Sequence, residues 1–565
     1  MTAPILERVQ ASLERLGANP DWPAIVLEIP PRPEMGDYAF PCFQLAKHLR
    51  KPPAAIAADV AAGIGSAPWL ERVEVVGGYV NFFLNRGEGA KRVVETVLQQ
   101  GDAYGAASVG AGKRIVIDFS SPNIAKPFHV GHLRSTMIGH SLARIFETLG
   151  YDVVRLNYLG DWGTQFGKLI VAYRRFGTKE EVEANPIQSL LDLYVRFHKE
   201  AEEDPALEDE ARAAFRALEE GREEETALWR WFRELSLAEF EKQYHRLGVH
   251  FDSYTGESAY NEKVKETVAA LQQSGIARES EGAWIVELDG LPPCLIQKKD
   301  GATLYATRDI AAAIDRYETY GFTHLLYVVG APQQLHFQQV FGVLARMGHT
   351  WVDRLEHIPF GQVRIGDEQL STRRGNVVFL EDLLDQAVER ASRIIEERNP
   401  GLEEKRKVAE AVGVGAVVFS DLFHNRIKDI SFDWESVLNF EGDTGPYVQY
   451  THARAASLLR RAESERGLKE PYGVEAAHLS DGESFELAKR IAAFPEVVGS
   501  AAANREPSEI ARYLIEVCHG FNSFYHARRI LGSEGESSRV ALVAAVKQVL
   551  ARGLYLLGVA APEAM

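Results

Sequence analysis

Cysteine is scarce. The chain of 565 residues has three, Cys42, Cys294 and Cys518, none near another in sequence and none in a C-x-x-C pair. That argues against a zinc ribbon and against a disulfide framework, so no structural zinc is expected. Scattered single thiols fit small buried hydrophobes in a reducing cytoplasm. No run of about 18 apolar residues occurs, so no membrane span is expected. The opening MTAPILERVQASLERLG reads as a charged amphipathic helix and lacks the apolar core of a signal peptide. Internal repeats of about 20–50 residues and low-complexity tracts are also missing. Nor is there an excess of positive charge. Lys and Arg number 63 against 80 Asp and Glu, a net −17. A basic coat for nucleic acid is thereby excluded, though a local RNA surface is not. Much of the imbalance sits in one stretch: residues 201–240 hold 13 acidic and 5 basic side chains, whereas 441–565 hold 16 and 14.

What is present is an ordinary globular composition, with 46% hydrophobic and 25% charged residues. At about 100–200 residues per domain the length suggests several domains. Residues 1–107 alternate helical and strand-like patterns, an α+β unit, and GDAYGAASVGAGK (101–113) reads as a linker. The pattern then changes. KRIVIDFS (113–120) is a buried strand, a long helix follows over about 130–149, and DVVRLNYLG (152–160) is a second strand. Strand, helix and strand with short joints form a βαβ unit and hence a parallel sheet. The same grammar returns at THLLYVVG (323–330) with a helix over about 333–347. Residues 108–380 are therefore expected to form a doubly wound, Rossmann-like α/β domain, interrupted by an acidic helical insertion at about 165–250. From 381 onward helical spacing dominates, first a connector (381–440) and then an all-α bundle (441–565).

Four groups of residues could carry chemistry. SSPNIAKPFHVGHLRST (120–136) puts His129 and His132 where a strand ends and a helix begins. Helix N-termini offer free N–H groups and positive dipole to phosphate. Gly131 permits close backbone approach to a ligand, and Lys126 adds a point charge. Alone, the H-x-G-H pattern fits a pair of capping histidines better than a ligand site; with its strand, turn and lysine it points to a nucleotide. LSTRRGNVV (370–378) carries Ser371, Thr372, Arg373, Arg374 and Gly375, a small basic loop able to close on a triphosphate. Asp118 and Asp309, with Asn123, Tyr305 and Gln333, could line a pocket for a planar guanidinium. A cap, or a pairing of Asp309 with Arg308 or another neighbour, is the simpler alternative there. Finally, GPYVQYTHAR (445–454) and FNSFYHARRIL (521–531) interleave aromatics with His and Arg. Stacking on unpaired bases and an ordinary aromatic core with a basic edge are both open readings.

In this order the pieces resemble class I aminoacyl-tRNA synthetases, and among them the bacterial-type arginyl-tRNA synthetases. The carrying strings are FSSPNIAKPFHVGHLRSTMIG (119–139), NYLGDWGTQFG (157–167), TLYATRDIAAA (303–313) and DTGPYVQYTHARAASLLRR (443–461), supported by EMGDYAFP (34–41) and the terminal LYLLGVAAPEAM. The first class signature, His-Ile-Gly-His, stands here as His129-Val130-Gly131-His132. The second, Lys-Met-Ser-Lys-Ser, corresponds to Leu370-Ser371-Thr372-Arg373-Arg374, where its functional second lysine is missing. The resemblance implies that Lys126 substitutes for it, ahead of Arg373 or Arg374.

The resemblance further implies ATP-dependent ligation of L-arginine to tRNA(Arg) through an arginyl-adenylate, with release of AMP and pyrophosphate. ATP, with Mg²⁺, would meet His129, Gly131, His132, Ser371, Thr372 and Gly375; catalysis would fall to Lys126, His129, His132, Ser371, Arg373 and Arg374. Arginine would meet Asp118, Asn123, His132, Tyr305, Asp309 and Gln333. The N-terminal domain would touch tRNA, and the C-terminal helices would bind the anticodon region, with Tyr447, Gln449, Tyr450, Arg454, Tyr525 and Arg528 as the candidate contacts. A cytoplasmic monomer without an editing domain is implied. The rivals are a synthetase for another amino acid, a nucleotidylyltransferase, which also uses H-x-G-H, and a non-catalytic tRNA-binding paralogue.

Overall fold

The structure, a computed structural model, describes residues 1–17, 22, 25–365, 368, 369 and 379–565. At the N-terminus, helices Thr2–Arg15 and Pro53–Ile64 cover a three-stranded antiparallel sheet in the order Tyr38–Pro41, Tyr79–Leu84, Leu70–Val76. The last two strands form the hairpin that the alternating 73–84 pattern predicts, turning at Gly77, which adopts φ +58°. Strand Tyr38–Pro41 lies in a segment that reads as turn-rich, because Pro33, Gly36 and Pro41 obscure its short apolar run. The stretch 101–113 is less free than its Gly, Ala and Ser suggest. Tyr104 is buried, stacks on Phe494 at 6.0 Å and donates its hydroxyl to the Ile491 carbonyl at 3.0 Å.

The central sheet is parallel throughout, in the order Leu355–Phe360, His324–Gly330, Arg114–Asp118, Asp152–Leu156. Its inner strands are continuous apolar runs because helices cover both faces. From Arg114–Asp118 the chain crosses by helix Val130–Thr148 to the strand on one side; it later builds the other side outward through His324–Gly330 and helix Gln334–Arg346. The order therefore reverses between Arg114–Asp118 and His324–Gly330. The crevice beyond the carboxyl ends of two such strands is where doubly wound sheets bind ligands.

The acidic insertion is five helices: Thr164–Phe176, Lys179–Ala184, Pro186–Glu203, Ala206–Glu219 and Glu223–Leu247. A further antiparallel sheet, Arg278–Ser280, Ala283–Leu288 and Leu291–Gln297, precedes helix Tyr305–Tyr320 and has no counterpart in the sequence reading. Its Asp289-Gly290 turn was the available signal. Helices Leu380–Arg398 and Lys405–Phe423 follow, and strand Ile430–Phe432 returns to pair in parallel with Val363–Ile365. Arg134, on the helix after the first strand, locks this return: it pairs with Asp421 at 3.2 Å and donates to the carbonyls of Gly361 and Lys428.

Helices Gly445–Arg466, Gly482–Ala492, Phe494–Asn504, Ser508–Ala527 and Glu536–Leu557 complete the chain. By length and composition Glu536–Leu557 could cross a membrane, against the expectation from sequence that no segment is long and apolar enough. Here 72% of its apolar window is buried within the protein, against Gly445–Arg466, Ser508–Ala527, Arg86–Gln100 and Val130–Thr148.

Candidate active site

The loop from Phe119 to His129 leaves the central strand at the switch point. It is conformationally expensive. Ser120 (φ +73°), Ser121 (φ +49°) and Ala125 (φ +58°) are all left-handed, although none is glycine. Each such residue costs about 1–2 kcal/mol, so the surroundings must hold it. Ser120 N–H donates to Ser135 Oγ at 2.9 Å and Ser121 N–H to Asn157 Oδ1 at 3.2 Å. Asn123 is exposed and bridges to Gly160, where a Cβ would fall 2.0 Å from Asn123 Oδ1.

His129 is the N-cap of helix Val130–Thr148. Its Nδ1 accepts the Gly131 N–H at 3.0 Å, while His132 Nδ1 accepts the His129 N–H at 3.1 Å. Their rings stack at 3.9 Å, and His132 stacks on Phe128 at 5.1 Å. Since both Nδ1 atoms accept, each neutral ring carries its proton on Nε2. Burial, reinforced by the Lys126 charge, pushes His129 down to about 4. His132 falls well below its ordinary range through burial, then through His129. At neutral pH the pair is two uncharged, fixed N–H donors. Gly131 serves this pair directly, because a Cβ there would meet His129 Cε1 at 2.8 Å. Beyond the loop, Phe379 bridges to His129, and Leu380 N–H donates to the Phe128 carbonyl at 3.0 Å. Ser371, Thr372, Arg373, Arg374 and Gly375 lie outside the described residues.

Across the crevice, helix Tyr305–Tyr320 brings three acids and two guanidiniums together. Asp118 is almost fully buried and already holds Arg316 at 2.8 Å, with Ser121 Oγ donating to its other oxygen at 3.0 Å. Burial raises the Asp118 carboxyl against the pull of Arg316. A guanidinium does not surrender its proton, so the pair remains ionic. The sequence reading sets Asp118 against substrate arginine; in the structure its partner is Arg316 of the chain itself. Glu257 sits 3.5 Å from Arg308, and burial raises it to about 7. Of the simple alternatives for Asp309, pairing with Arg308 does not occur, since Arg308 goes to Glu257, but pairing with another neighbour does. Asp309 instead meets His336 Nε2 at 2.5 Å. Tyr305, one turn earlier on the same helix, and Gln333 are both exposed at the crevice side of the sheet. Tyr158 and Tyr327, whose hydroxyls are buried without partners, flank Arg316, with its guanidinium 4.8 and 5.6 Å from their rings. Arg316, Glu257, Tyr158 and His336 escaped the sequence reading, and Arg308 entered it only as a partner for Asp309. Arg316 shares a helix face with Asp309, seven residues on, but nothing local marks it as the partner of Asp118. Among the described residues no three His, Cys, Asp or Glu side chains form a metal-binding group.

Comparison with known proteins agrees across the chain. Family models match for the N-terminal domain of arginyl-tRNA synthetase (residues 4–84), the catalytic domain of class I (R) tRNA synthetases (93–434) and the DALR anticodon-binding domain (448–565). The chain is 52% identical to an arginine–tRNA ligase of Alkaliphilus metalliredigens over 96% of its length and 95% of the relative's. It is 50% identical to that of Clostridium perfringens, over 96% of each. The chain belongs to the arginyl-tRNA synthetase family. Among solved arginyl-tRNA synthetases, that of Thermus thermophilus superposes with a TM-score of 0.82 at 28% identity over the whole of both chains. That of Plasmodium falciparum gives 0.80 at 25% identity over 100% and 99%. The family assignment makes the chain a class I synthetase with a tRNA-binding C-terminal domain.

Within that synthetase domain the six sequence candidates separate. Gln449 is fully buried and donates to the carbonyls of Ala411 and Ala560, both at 2.9 Å, so it holds the core and does not reach RNA. Arg528 is engaged by Glu483 at 2.6 Å and Asp481 at 3.2 Å. Tyr447, Arg454 and Tyr525 are half-buried: Asn522 donates to Tyr447 Oη at 2.8 Å and accepts from Arg454 at 3.2 Å, while the Arg454 guanidinium lies 4.1 Å over the Tyr525 ring. Tyr450 is exposed.

Proposed function

We propose that the crevice binds ATP against the N-terminus of Val130–Thr148 and arginine against Asp309, joins them as arginyl-adenylate, and then passes arginine to tRNA(Arg). The carrying observation is charge bookkeeping at the switch point. Asp118 and Glu257 are already opposite guanidiniums of the chain itself, at 2.8 and 3.5 Å, which leaves Asp309 as the carboxylate that, among the described residues, faces an imidazole and no guanidinium. A substrate guanidinium supplies the planar donors that Asp309 lacks. Tyr305, Gln333 and Asn123 line the approach.

The arginine carboxylate attacks the ATP α-phosphorus in line, and pyrophosphate departs. The terminal adenosine hydroxyl of tRNA then attacks the adenylate carbonyl, and AMP departs. His129 and His132 present Nε2–H groups toward phosphate. Being neutral and already oriented, they need not reorganise as charge shifts from α-phosphate to pyrophosphate. Lys126 supplies formal charge: its field lowers both imidazoles, which supports it as the replacement for the missing signature lysine. Arg373 and Arg374 share the pyrophosphate side, with Ser371, Thr372 and Gly375 covering the nucleotide. Mg²⁺ enters with ATP as part of the substrate, held largely by phosphates and water.

ATP–pyrophosphate exchange, with tRNA present, tests the reading. Exchange with arginine and none with citrulline is expected, because citrulline leaves Asp309 unpaired. Equal exchange with both would remove Asp309 from recognition. No exchange with arginine would return the chain to a non-catalytic tRNA-binding role.

A further inference from the structure

The acidic insertion has no part in the chemistry so far, yet its last helix runs beneath the strained loop. Ser236, Phe240 and Tyr244 recur every four residues on Glu223–Leu247 and so share one face. All three are buried. Ser236 Oγ accepts the N–H of left-handed Ala125 at 2.8 Å while donating to the Phe232 carbonyl at 2.7 Å. Tyr244 Oη lies 2.7 Å from Oγ of left-handed Ser120 and accepts from Asn157 Nδ2 at 2.9 Å. Thr136 Oγ1 lies 2.9 Å from Ser120 Oγ and 2.7 Å from the His132 carbonyl. Each hydroxyl has one proton. The arrangement that leaves none without an acceptor runs from Asn157 to Tyr244, to Ser120, to Thr136, to the His132 carbonyl. Between the two anchor points, Phe240 and Tyr244 pack on Phe128 at 5.7 and 5.4 Å, and Phe128 stacks on His132.

We infer that Tyr244 and Ser236 are positioning residues for adenylate formation: the insertion holds Ser120 and Ala125 left-handed and so fixes where His129 and His132 aim their donors. Two of the loop's three unfavourable residues are pinned by side chains from one remote helix, more than 100 residues away in sequence. Helix capping alone fixes the rings relative to Val130–Thr148; the insertion fixes the loop that places ATP and Asn123 relative to them. This rests on the adenylate-forming reading of the site.

The test is ATP–pyrophosphate exchange with tRNA on the full chain, for Tyr244→Phe, Ser236→Ala and the double variant Ser236→Ala with Ala125→Gly. Tyr244→Phe keeps the ring and its packing and loses only the hydroxyl. Both single variants are expected to lower kcat by about tenfold or more, with the KM for arginine within about twofold of the parent. Glycine adopts the left-handed conformation without strain, so Ala125→Gly is expected to restore kcat in the Ser236→Ala background. Leu207→Ala, at a buried position of helix Ala206–Glu219 in the same insertion, is expected to lower the melting temperature with kcat retained. Single variants with parental kcat would overturn the inference. So would a loss that follows melting temperature across all variants, Leu207→Ala included, and is not restored by Ala125→Gly. A parent without exchange would instead overturn the underlying function.

Discussion

The histidine loop and the helix Tyr305–Tyr320 face the same crevice but are built on opposite terms. The loop is strained and uncharged at its two rings: three non-glycine residues are left-handed, and both imidazoles are held neutral by burial while their Nδ1 atoms accept backbone N–H groups. The helix is regular and dense in charge, with its acids paired off until one, Asp309, remains without a guanidinium among the described residues. On the loop side function depends on where donors point; on the helix side it depends on the count of charges. Substitutions should divide the same way, between losses in kcat and losses in arginine recognition.

The largest effect is expected from Asp309→Ala. Truncating one partner of a desolvated charge pair costs about 4 kcal/mol, or about 10³-fold. The loss should fall on kcat/KM for arginine, with the KM for ATP nearly unchanged, when the two substrates are titrated separately in pyrophosphate exchange. Equal losses for both would erase the division between the two sides.

On the loop side, His129→Asn keeps a good N-cap acceptor but removes the Nε2–H donor. A fall in kcat of about 10²-fold is expected, with little change in the KM for arginine. The same residue gives a pH signature. His129 titrates at about 4 in the folded chain against an ordinary 6.5, so below 6.5 the unfolded chain takes the proton first. The stability tied to a neutral His129 is present above pH 6.5 and is lost as pH falls toward 4. The melting temperature of the parent should therefore drop between pH 7 and 5, and more steeply than that of His129→Asn. Parallel curves would mean that the ring is not buried as a neutral donor.

These two sides were also unequally legible in sequence. The parallel sheet, its crossover helix and the H-x-G-H turn could be read because they rest on local pattern: a β-branched run, a helical period, a Ser-Pro-Asn turn. Asp309 could be placed one helical turn from Tyr305 for the same reason. The partner of Asp118 could not, because Arg316 meets it only after the insertion and a further sheet have been folded between them. Tyr244 was invisible for the same reason. An aromatic on an acidic helix carries no local mark of a hydroxyl aimed at a serine 124 positions earlier. Buried partners of this kind are a property of topology, and periodicity does not encode them.

A smaller effect should separate two readings of Gly131. If its role were backbone approach to ligand, Gly131→Ala would raise the KM for ATP. The structure instead puts the added Cβ 2.8 Å from His129 Cε1, at the edge of a ring that can turn away. The expected outcome is a kcat lower by about tenfold with the KM for ATP nearly unchanged, and little loss of melting temperature.

The comparison extends to the adjacent residues Gln449 and Tyr450, which one sequence pattern proposed together as RNA contacts. Gln449 donates to the carbonyls of Ala411 and Ala560 from a fully buried position, whereas Tyr450 is 42% exposed. Gln449→Ala removes two hydrogen bonds made by a buried side chain and should cost about 2 kcal/mol of stability, seen as a lower melting temperature with or without tRNA. Tyr450→Ala should leave the melting temperature alone. If its ring stacks on an unpaired base, removing it costs about 1 kcal/mol, which raises the KM for tRNA about fivefold without changing the KM for arginine. Aminoacylation with tRNA as the varied substrate measures the difference. An unchanged KM for tRNA would confine the RNA contact to the half-buried Tyr447, Arg454 and Tyr525, whose hydrogen bonds and ring contacts would then have to open to admit a base.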